Sequence, residues 1–362
     1  MNDQSSPRTL DVIFREEGRA AFITLNRQHA LNALTHDMIS SINRQYLKWA
    51  ANPRTYGVVL EAAPGRAFSV GGDLRALMES TQSGLENALA FFRDEYQHNW
   101  TLECFTKPNV ALIDGMVMGG GVGCCVYGTH RVAGEGLRFG MPEASIGFFP
   151  DIGGGYVLSR FPGETGLYLA LTGGTVGRAD AYHLGFASHC VAAADFDKIR
   201  HAMIESDPID PVLDGLHQEP GASEIASLQP AIDRIFSAAS VEEILERLDT
   251  EAGPHSGWAR ETAATMRRNA PLSLKVTFRQ LRMARSMPTL KEALIVDFRL
   301  ASRLASAPDF REGVRAVLID KDRSPKWHPA SLQEVTQSMV EACFAPLGTG
   351  ELPLIDHWGL LD

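Results

Sequence analysis

Two glycine-rich junctions and three carboxylates are the residues of this chain whose types and spacing can do chemistry. One junction is Ala67-Phe-Ser-Val-Gly-Gly-Asp73, and the other is Asp114-Gly-Met-Val-Met-Gly-Gly-Gly121. Glycine allows positive φ and the close approach of another group to the backbone. Each junction opens a helix-like run, and the first N–H groups of a helix have no intrahelical acceptor. Donors from two such junctions can converge on one oxygen. A carbonyl turning into an oxyanion there gains about 3–4 kcal/mol per well-placed donor. Taken singly, each junction reads equally as a tight strand-to-helix turn. The carboxylates are Glu143, Asp151 and Glu95, which could serve as general base, general acid or nucleophile. Asp151 also reads as a helix N-cap, and Glu95, next to Asp94, as part of a solvated helix face. The combination suits acyl chemistry driven by an oxyanion hole, but it does not name the acyl carrier.

Other machinery is missing from the chain. There is no GxxxxGK[ST] phosphate loop and no GxSxG elbow, because Ser145 in Glu143-Ala-Ser-Ile-Gly147 lacks the first glycine. Cys124 and Cys125 stand beside the glycine triplet among apolar neighbours and read as core residues. The histidines form no HExxH or other metal spacing, so no metal is expected.

The elements that must carry these groups follow from local pattern. Ala20 to Leu25 and Gly57 to Ala62 read as strands. The apolar run Val110 to Ile113 leads into the second junction. Asn26 to Leu34 reads as a loop, after which Thr35 caps a helix whose apolar residues Met38, Ile39, Ile42, Tyr46 and Trp49 recur at helical spacing. Asp73 is placed to cap a further helix, and Gly84 to Phe105 is helical by pattern. A helix is expected from Asp151 through Arg160. Alternating strand and helix signals to about Val191 favour an α/β core. Beyond Asp195 the signals are almost wholly helical, at Glu242–Leu248, Pro271–Met283, Leu290–Ala305 and Ser331–Cys343. Pro208 to Gln229 is turn-rich and reads as a long connection. The expected organisation is a core over 10–195 and a mainly helical region over 196–362 packed on it.

Bulk properties set the class. The 362 residues are 44% hydrophobic and 22% charged, as in an ordinary globular protein, and the formal net charge of −10 argues against general nucleic-acid binding. Met1 to Pro7 shows no apolar signal core, and no run is long enough for a bilayer span. Five cysteines without a CxxC pair point to reduced thiols, from which a cytoplasmic location is expected.

The two junctions together resemble the enoyl-CoA hydratase/isomerase (crotonase) superfamily, and within it the acyl-CoA hydrolases acting on 3-hydroxyisobutyryl-CoA. Supporting stretches are Phe92-Arg-Asp-Glu-Tyr96, Met141-Pro-Glu-Ala-Ser-Ile-Gly-Phe-Phe-Pro-Asp-Ile-Gly-Gly-Gly-Tyr156, Leu169-Ala-Leu-Thr-Gly173, and Asp309 to Asp322 with Ser324-Pro-Lys-Trp327. The resemblance implies a spiral of ββα units followed by helices. It also implies an oxyanion hole from the Gly72 and Gly120 N–H groups, a catalytic Glu143, and Asp151 and Glu95 lining the acyl pocket. The loop near Asn26 to Asn32 and the Ala67-Phe68 backbone would cradle coenzyme A, which is part of the substrate; no separate cofactor is expected. Hydratases of the superfamily carry a second glutamate where this chain has Gly123, which favours thioester hydrolysis. A hydratase or isomerase, and a non-catalytic acyl-CoA-binding protein, remain the alternatives. The implied partner is an acyl-CoA, with no nucleic acid or membrane, and the family allows a homo-oligomer.

Overall fold

The computed structural model describes residues 10–356, so Met1 to Pro7 and the last six positions lie outside the described residues. The chain opens with β1 (Val12–Glu17), β2 (Ala20–Leu25), α1 (His36–Ala51), β3 (Gly57–Ala62) and β4 (Ala67–Ser69). It continues through α2 (Leu74–Ser83), α3 (Leu85–Glu103), β5 (Asn109–Ile113), β6 (Met116–Met118) and the single turn α4 (Gly120–Gly123). Then come β7 (His130–Ala133), β8 (Arg138–Gly140), α5 (Gly154–Leu158), α6 (Thr165–Thr172), β9 (Thr175–Gly177), α7 (Arg178–His183) and β10 (His189–Cys190).

Two sheets result, ordered β1-β2-β3-β5-β7-β10 and β4-β6-β8-β9. From β3 to β8 successive strands alternate between them. β3 enters the first sheet and β4 the second, and the same switch recurs at β5/β6 and β7/β8. Each such pair is followed by helix or turn, which is the expected ββα spiral. Asp114 ties adjacent turns of the spiral, because its Oδ1 accepts from the Gly136 N–H at 2.6 Å.

The central strands are buried on both faces, as parallel strands require. Side chains alternate between two apolar layers at period two. Ala21, Ile23, Val58, Leu60, Ala111 and Ile113 face the main core. Phe22, Val59, Val110, Leu112 and Val132 face a second layer on the opposite side. That second layer is closed by α8 (Phe196–Glu205) and α9 (Ile209–Leu216), through Ile199, Met203 and Leu213.

The remaining helices are α10 (Glu224–Phe236), α11 (Val241–Asp249), α12 (Ser256–Arg268), α13 (Pro271–Ala284), α14 (Leu290–Leu304), α15 (Pro308–Val314) and α16 (Gln337–Phe344). Their apolar faces join the main core rather than forming one of their own. Arg282 of α13 and Arg285 just after its end reach buried Glu164 at 2.9 and 2.7 Å, pinning the helical region beside α6.

Local expectations differ from the structure in several places. Pro208–Gln229 is not one long connection: it holds α9 and the start of α10. Pro211 sits in the first turn of α9, where its missing N–H has no helical partner to lose. Ser223 caps α10 by accepting from Ala226 N–H at 3.0 Å, and Pro230 is tolerated inside that helix. Ser331–Cys343 divides into a 3₁₀ turn, Leu332–Glu334, and α16. Thr35 and Asp73 do cap α1 and α2.

Candidate active site

The two glycine junctions meet at one point. Leu34 pairs with the extended Gly71–Asp73 segment: its N–H donates to Gly71 O at 2.8 Å, and its O accepts from Asp73 N–H at 2.9 Å. Successive N–H groups of an extended segment point to opposite sides, so the Gly72 N–H faces away from Leu34. On that side lies the start of α4. A Cβ on Gly120 would be 3.3 Å from the Gly72 nitrogen, and a Cβ on Gly71 only 2.8 Å from the Gly120 nitrogen. Gly71 also sits at φ +90°, so no side chain fits there on either count. Among the described residues neither the Gly72 nor the Gly120 N–H has a protein acceptor. Two adjacent, unpaired donors are what an incoming carbonyl oxygen needs.

The loop before α1 supports the first junction. Asn32 is buried, and its Nδ2 donates to Ala67 O and Phe68 O at 3.1 and 3.0 Å. Ser69 Oγ donates to Asn32 O at 2.8 Å, and Arg27 pairs with the α2 cap Asp73 at 2.8 Å. The Asn26–Asn32 loop therefore braces the β4 end.

The three carboxylates converge beside these donors. Glu95 is 2% exposed, and Glu143 and Asp151 are each 6% exposed. A Cβ on Gly120 would overlap Glu95 Oε1, and one on Gly119 would come within 2.9 Å of Glu143 Oε1. Glu95 Oε1 and Glu143 Oε2 are buried without a hydrogen-bond partner. Tyr96 Oη donates to Asp151 Oδ2 at 2.9 Å. All three line one cavity of about 80 Å³ with Val70, Gly72, Gly120, Leu77, Phe91, Phe92, Ile146, Phe148 and Phe310. Phe92 stacks on Phe148 at 5.7 Å, and Phe148 meets Phe310 at 5.2 Å, so one wall is aromatic and comes partly from α15.

Burial controls the protonation of this trio, since a charged carboxylate is costly in an apolar wall. It pushes Asp151 up to about 7, opposed by the Tyr96 hydrogen bond. Burial, and then the charge of Asp151, hold Glu143 well above the usual carboxylate range. Glu95 is raised by burial and by the charges of Asp151 and Glu143. A carboxyl held at about 7, as Asp151 is, can exchange a proton with a substrate near neutral pH.

Two sequence readings change here. Glu95 is not on a solvated helix face. Asp94 is, half exposed and accepting from His36 Nε2 and Ser40 Oγ at 2.8 and 2.7 Å. Asp151 is not a side-chain N-cap. α5 begins at Gly154 with Gly153 in the cap position, leaving the Asp151 carboxylate free to face Tyr96. Cys124 and Cys125 are core residues, with burial pushing both thiols up. The Tyr96 hydroxyl contact to Asp151 has no local sequence signal. Asp297, Gln280 and Tyr127, which hold the turn after Asp151, were also missed. Among the described residues no group of His, Cys, Asp and Glu is arranged to hold a metal ion, and no helix is long and apolar enough to cross a membrane.

The spiral of ββα turns, with facing glycine N–H groups over a carboxylate-lined cavity, defines a crotonase-type acyl-CoA protein. A profile of the enoyl-CoA hydratase/isomerase family matches residues 20–344, and the chain belongs to that family. Among curated relatives it is 42% identical to "3-hydroxyisobutyryl-CoA hydrolase, mitochondrial" of Danio rerio, covering 97% of this chain and 93% of that one. It is 43% identical to the Homo sapiens protein of the same name, over 94% and 90%. Solved structures carry other titles. A carnitinyl-CoA dehydratase from Mycobacterium thermoresistibile superposes with TM-score 0.91 at 36% identity, over 96% of this chain and all of that one. An enoyl-CoA hydratase from Rhodobacter sphaeroides gives 0.88 at 37%, over 95% and 99%. The mitochondrial relatives overturn the cytoplasmic expectation. Unpaired thiols separate reducing from oxidising compartments and cannot tell one reducing compartment from another.

Proposed function

We propose that this chain hydrolyses the thioester of 3-hydroxyisobutyryl-CoA, or of a similarly short 3-hydroxyacyl-CoA, to the free acid and coenzyme A. The hydrolase relatives give the reaction. The observation that carries it over double-bond hydration is the packing at Gly123. A Cβ there would lie 2.7 Å from Asn99 Nδ2 and 3.2 Å from Ile152 Cβ. Asn99 Nδ2 in turn donates to Gly123 O at 3.1 Å. No space is kept for a second glutamate, so the two-glutamate apparatus of water addition has no seat in this chain.

The chemistry follows from the placement of the groups. The thioester oxygen accepts from the Gly72 and Gly120 N–H groups, which polarise the carbonyl and hold the oxyanion. Glu143, whose carboxylate burial disfavours, must be ionised to act, and then either attacks the carbonyl carbon, giving a mixed anhydride that water opens, or takes a proton from the attacking water. In the base route the C–S bond breaks as one C–O bond to water forms. In the anhydride route a C–O bond to Glu143 replaces C–S, and water then replaces an anhydride C–O bond, its proton returning to the Asp151 carboxylate. In both the thiolate leaves. Asp151, held near neutral pH by burial, supplies its proton. Glu95, which lines the cavity with Oε1 unpartnered, is assigned to pair the 3-hydroxyl. A site built to pair a hydroxyl rejects the analogue lacking it, because its own polar group is then left buried and alone. The small cavity admits a short acyl chain, and the reaction fits a step of valine breakdown.

The test is thiol release from 3-hydroxyisobutyryl-CoA alongside hydration of crotonyl-CoA by the same protein. Release that disappears in folded Glu143→Gln supports the hydrolase. Hydration without release would favour the hydratase, the reading that the titles of the two solved structures support. Binding of acyl-CoA with neither reaction would leave a non-catalytic binding protein. A single turnover in ¹⁸O water that places label in Glu143 establishes the anhydride route, with water opening the anhydride at the Glu143 carbonyl carbon.

A further inference from the structure

The turn that carries Asp151 does not hold itself. Ile152 sits at φ +56° and is fully buried, a conformation that β-branched residues avoid. Gly153 follows at φ +75°, and a Cβ there would collide with Tyr127 Oη and Leu290 Cδ1. Three side chains from outside the turn grip its backbone. Tyr127 Oη donates to Ile152 O at 2.6 Å. Gln280 Nε2, on α13, donates to Pro150 O at 2.9 Å and to Asp297 Oδ1 at 2.7 Å. Asp297 Oδ2, on α14, accepts from the Gly153 N–H at 2.7 Å.

Asp297 is the unusual member. It is 1% exposed and Gln280 is 2% exposed. Its hydrogen-bond partners among the described residues are these two N–H donors, and it makes no ion pair. A buried carboxylate without a cation is costly, and an apolar residue of similar size serves stability as well or better. What an apolar residue cannot do is accept from Gly153 N–H.

We infer that Asp297 is a positioning residue for Asp151: with Gln280 and Tyr127 it keeps Ile152–Gly153 left-handed and so aims the Asp151 carboxylate into the cavity beside Glu143. This rests on the reading in which Asp151 transfers a proton. It makes the helical C-terminal region part of the active site's support, reaching the turn through α13 and α14.

The experiment compares Asp297→Asn, Asp297→Leu and Tyr127→Phe, with Asp151→Asn as the reference. It measures kcat and KM for thiol release, thermal melting, and hydrogen exchange of the Pro150–Tyr156 amides. Asp297→Asn keeps an oxygen for Gly153, but to accept from the new amide nitrogen Gln280 must turn and give up Pro150 O, so kcat should fall by about tenfold at most while Asp297→Leu loses about 100-fold with KM nearly unchanged. Tyr127→Phe removes one hydroxyl and should lose about tenfold in kcat. In Asp297→Leu and Tyr127→Phe the turn amides should exchange faster than in the parent, with the rest of the chain unaffected.

A folded Asp297→Leu with parental kcat overturns the inference, as does an Asp297→Asn no better than Asp297→Leu. If Asp297→Leu does not fold, Tyr127→Phe decides: unchanged kcat and exchange overturn it. An Asp151→Asn protein with parental kcat removes both the inference and the reading beneath it. An inactive Asp151→Asn beside a normal Asp297→Leu removes the inference alone.

Discussion

The proposed oxyanion hole makes an asymmetric prediction about Gly72 and Gly120. A methyl on Gly120 would lie 3.3 Å from the Gly72 nitrogen and overlap Glu95 Oε1. An oxyanion held by both N–H groups sits about 2.7–3.1 Å from each nitrogen. A methyl carbon that close to the Gly72 nitrogen stands in front of its N–H, so Gly120→Ala loses at least that donor. One donor is worth about 2.7–4 kcal/mol. That is a loss of about 10²–10³ in kcat/KM. A methyl on Gly72 meets only the edge of the Phe91 ring, at 3.2 and 3.4 Å. The ring can give slightly, so Gly72→Ala should cost about tenfold or less. Thiol release with a short 3-hydroxyacyl-CoA measures both, with melting curves showing that each variant folds. Because the Gly120 methyl also crowds Glu95, the double variant Glu95→Ala/Gly120→Ala is the control. A loss that came only from displacing Glu95 would not grow when Gly120→Ala is added to Glu95→Ala. The hole is refuted if Gly120→Ala stays within tenfold of the parent, or if Gly72→Ala loses as much as Gly120→Ala.

Two further outcomes follow from the same geometry. With Asp151 held at about 7 by burial, its carboxyl is protonated below that pH and ionised above it. As donor to the leaving thiolate it makes kcat/KM fall about tenfold per pH unit above the midpoint. A rising limb belongs to the ionisation of Glu143, whose pKa burial also raises. The falling limb should vanish in Asp151→Asn, and a falling limb that persists there would rule out donation. Gly123→Glu should not create a hydratase, because its side chain meets Asn99 Nδ2 and Ile152. It should instead lower stability by about 1–3 kcal/mol through overpacking. Crotonyl-CoA hydration gained without loss of melting temperature would show that Gly123 is not what excludes that chemistry.

What could be read from the sequence was local. The strands at Ala20–Leu25 and Gly57–Ala62 and the caps at Thr35 and Asp73 each depend on residues a few positions apart, and they stand as read. The resemblance added the spiral and the pairing of Gly72 with Gly120, which no local rule supplies. α9 and α10 were hidden by Pro208, Pro211 and Pro230. Their apolar residues, such as Leu213, Ile232 and Ile235, find partners only on distant layers. That is tertiary packing overriding turn propensity.

The misread acids show where a finer local rule would have helped. Asp94 and Glu95 are neighbours in sequence but about 100° apart around α3. Glu95 stands three residues after Phe92 and seven after Ala88, on the buried stripe, whereas Asp94 is off it. Asp297 has the same mark: seven after Leu290, three after Leu294 and four before Ala301, all buried. An acid in register with an apolar stripe must find hydrogen bonds inside the fold or stay neutral. In α3 the acid reaches the cavity itself, and in α14 it reaches the backbone of the turn that carries Asp151. Reading register before charge would have put Glu95 in the site and marked Asp297 for attention. It would not have said which backbone N–H Asp297 accepts from, because the bonded turn lies 144 residues earlier and only the packing of α14 against α5 brings them together.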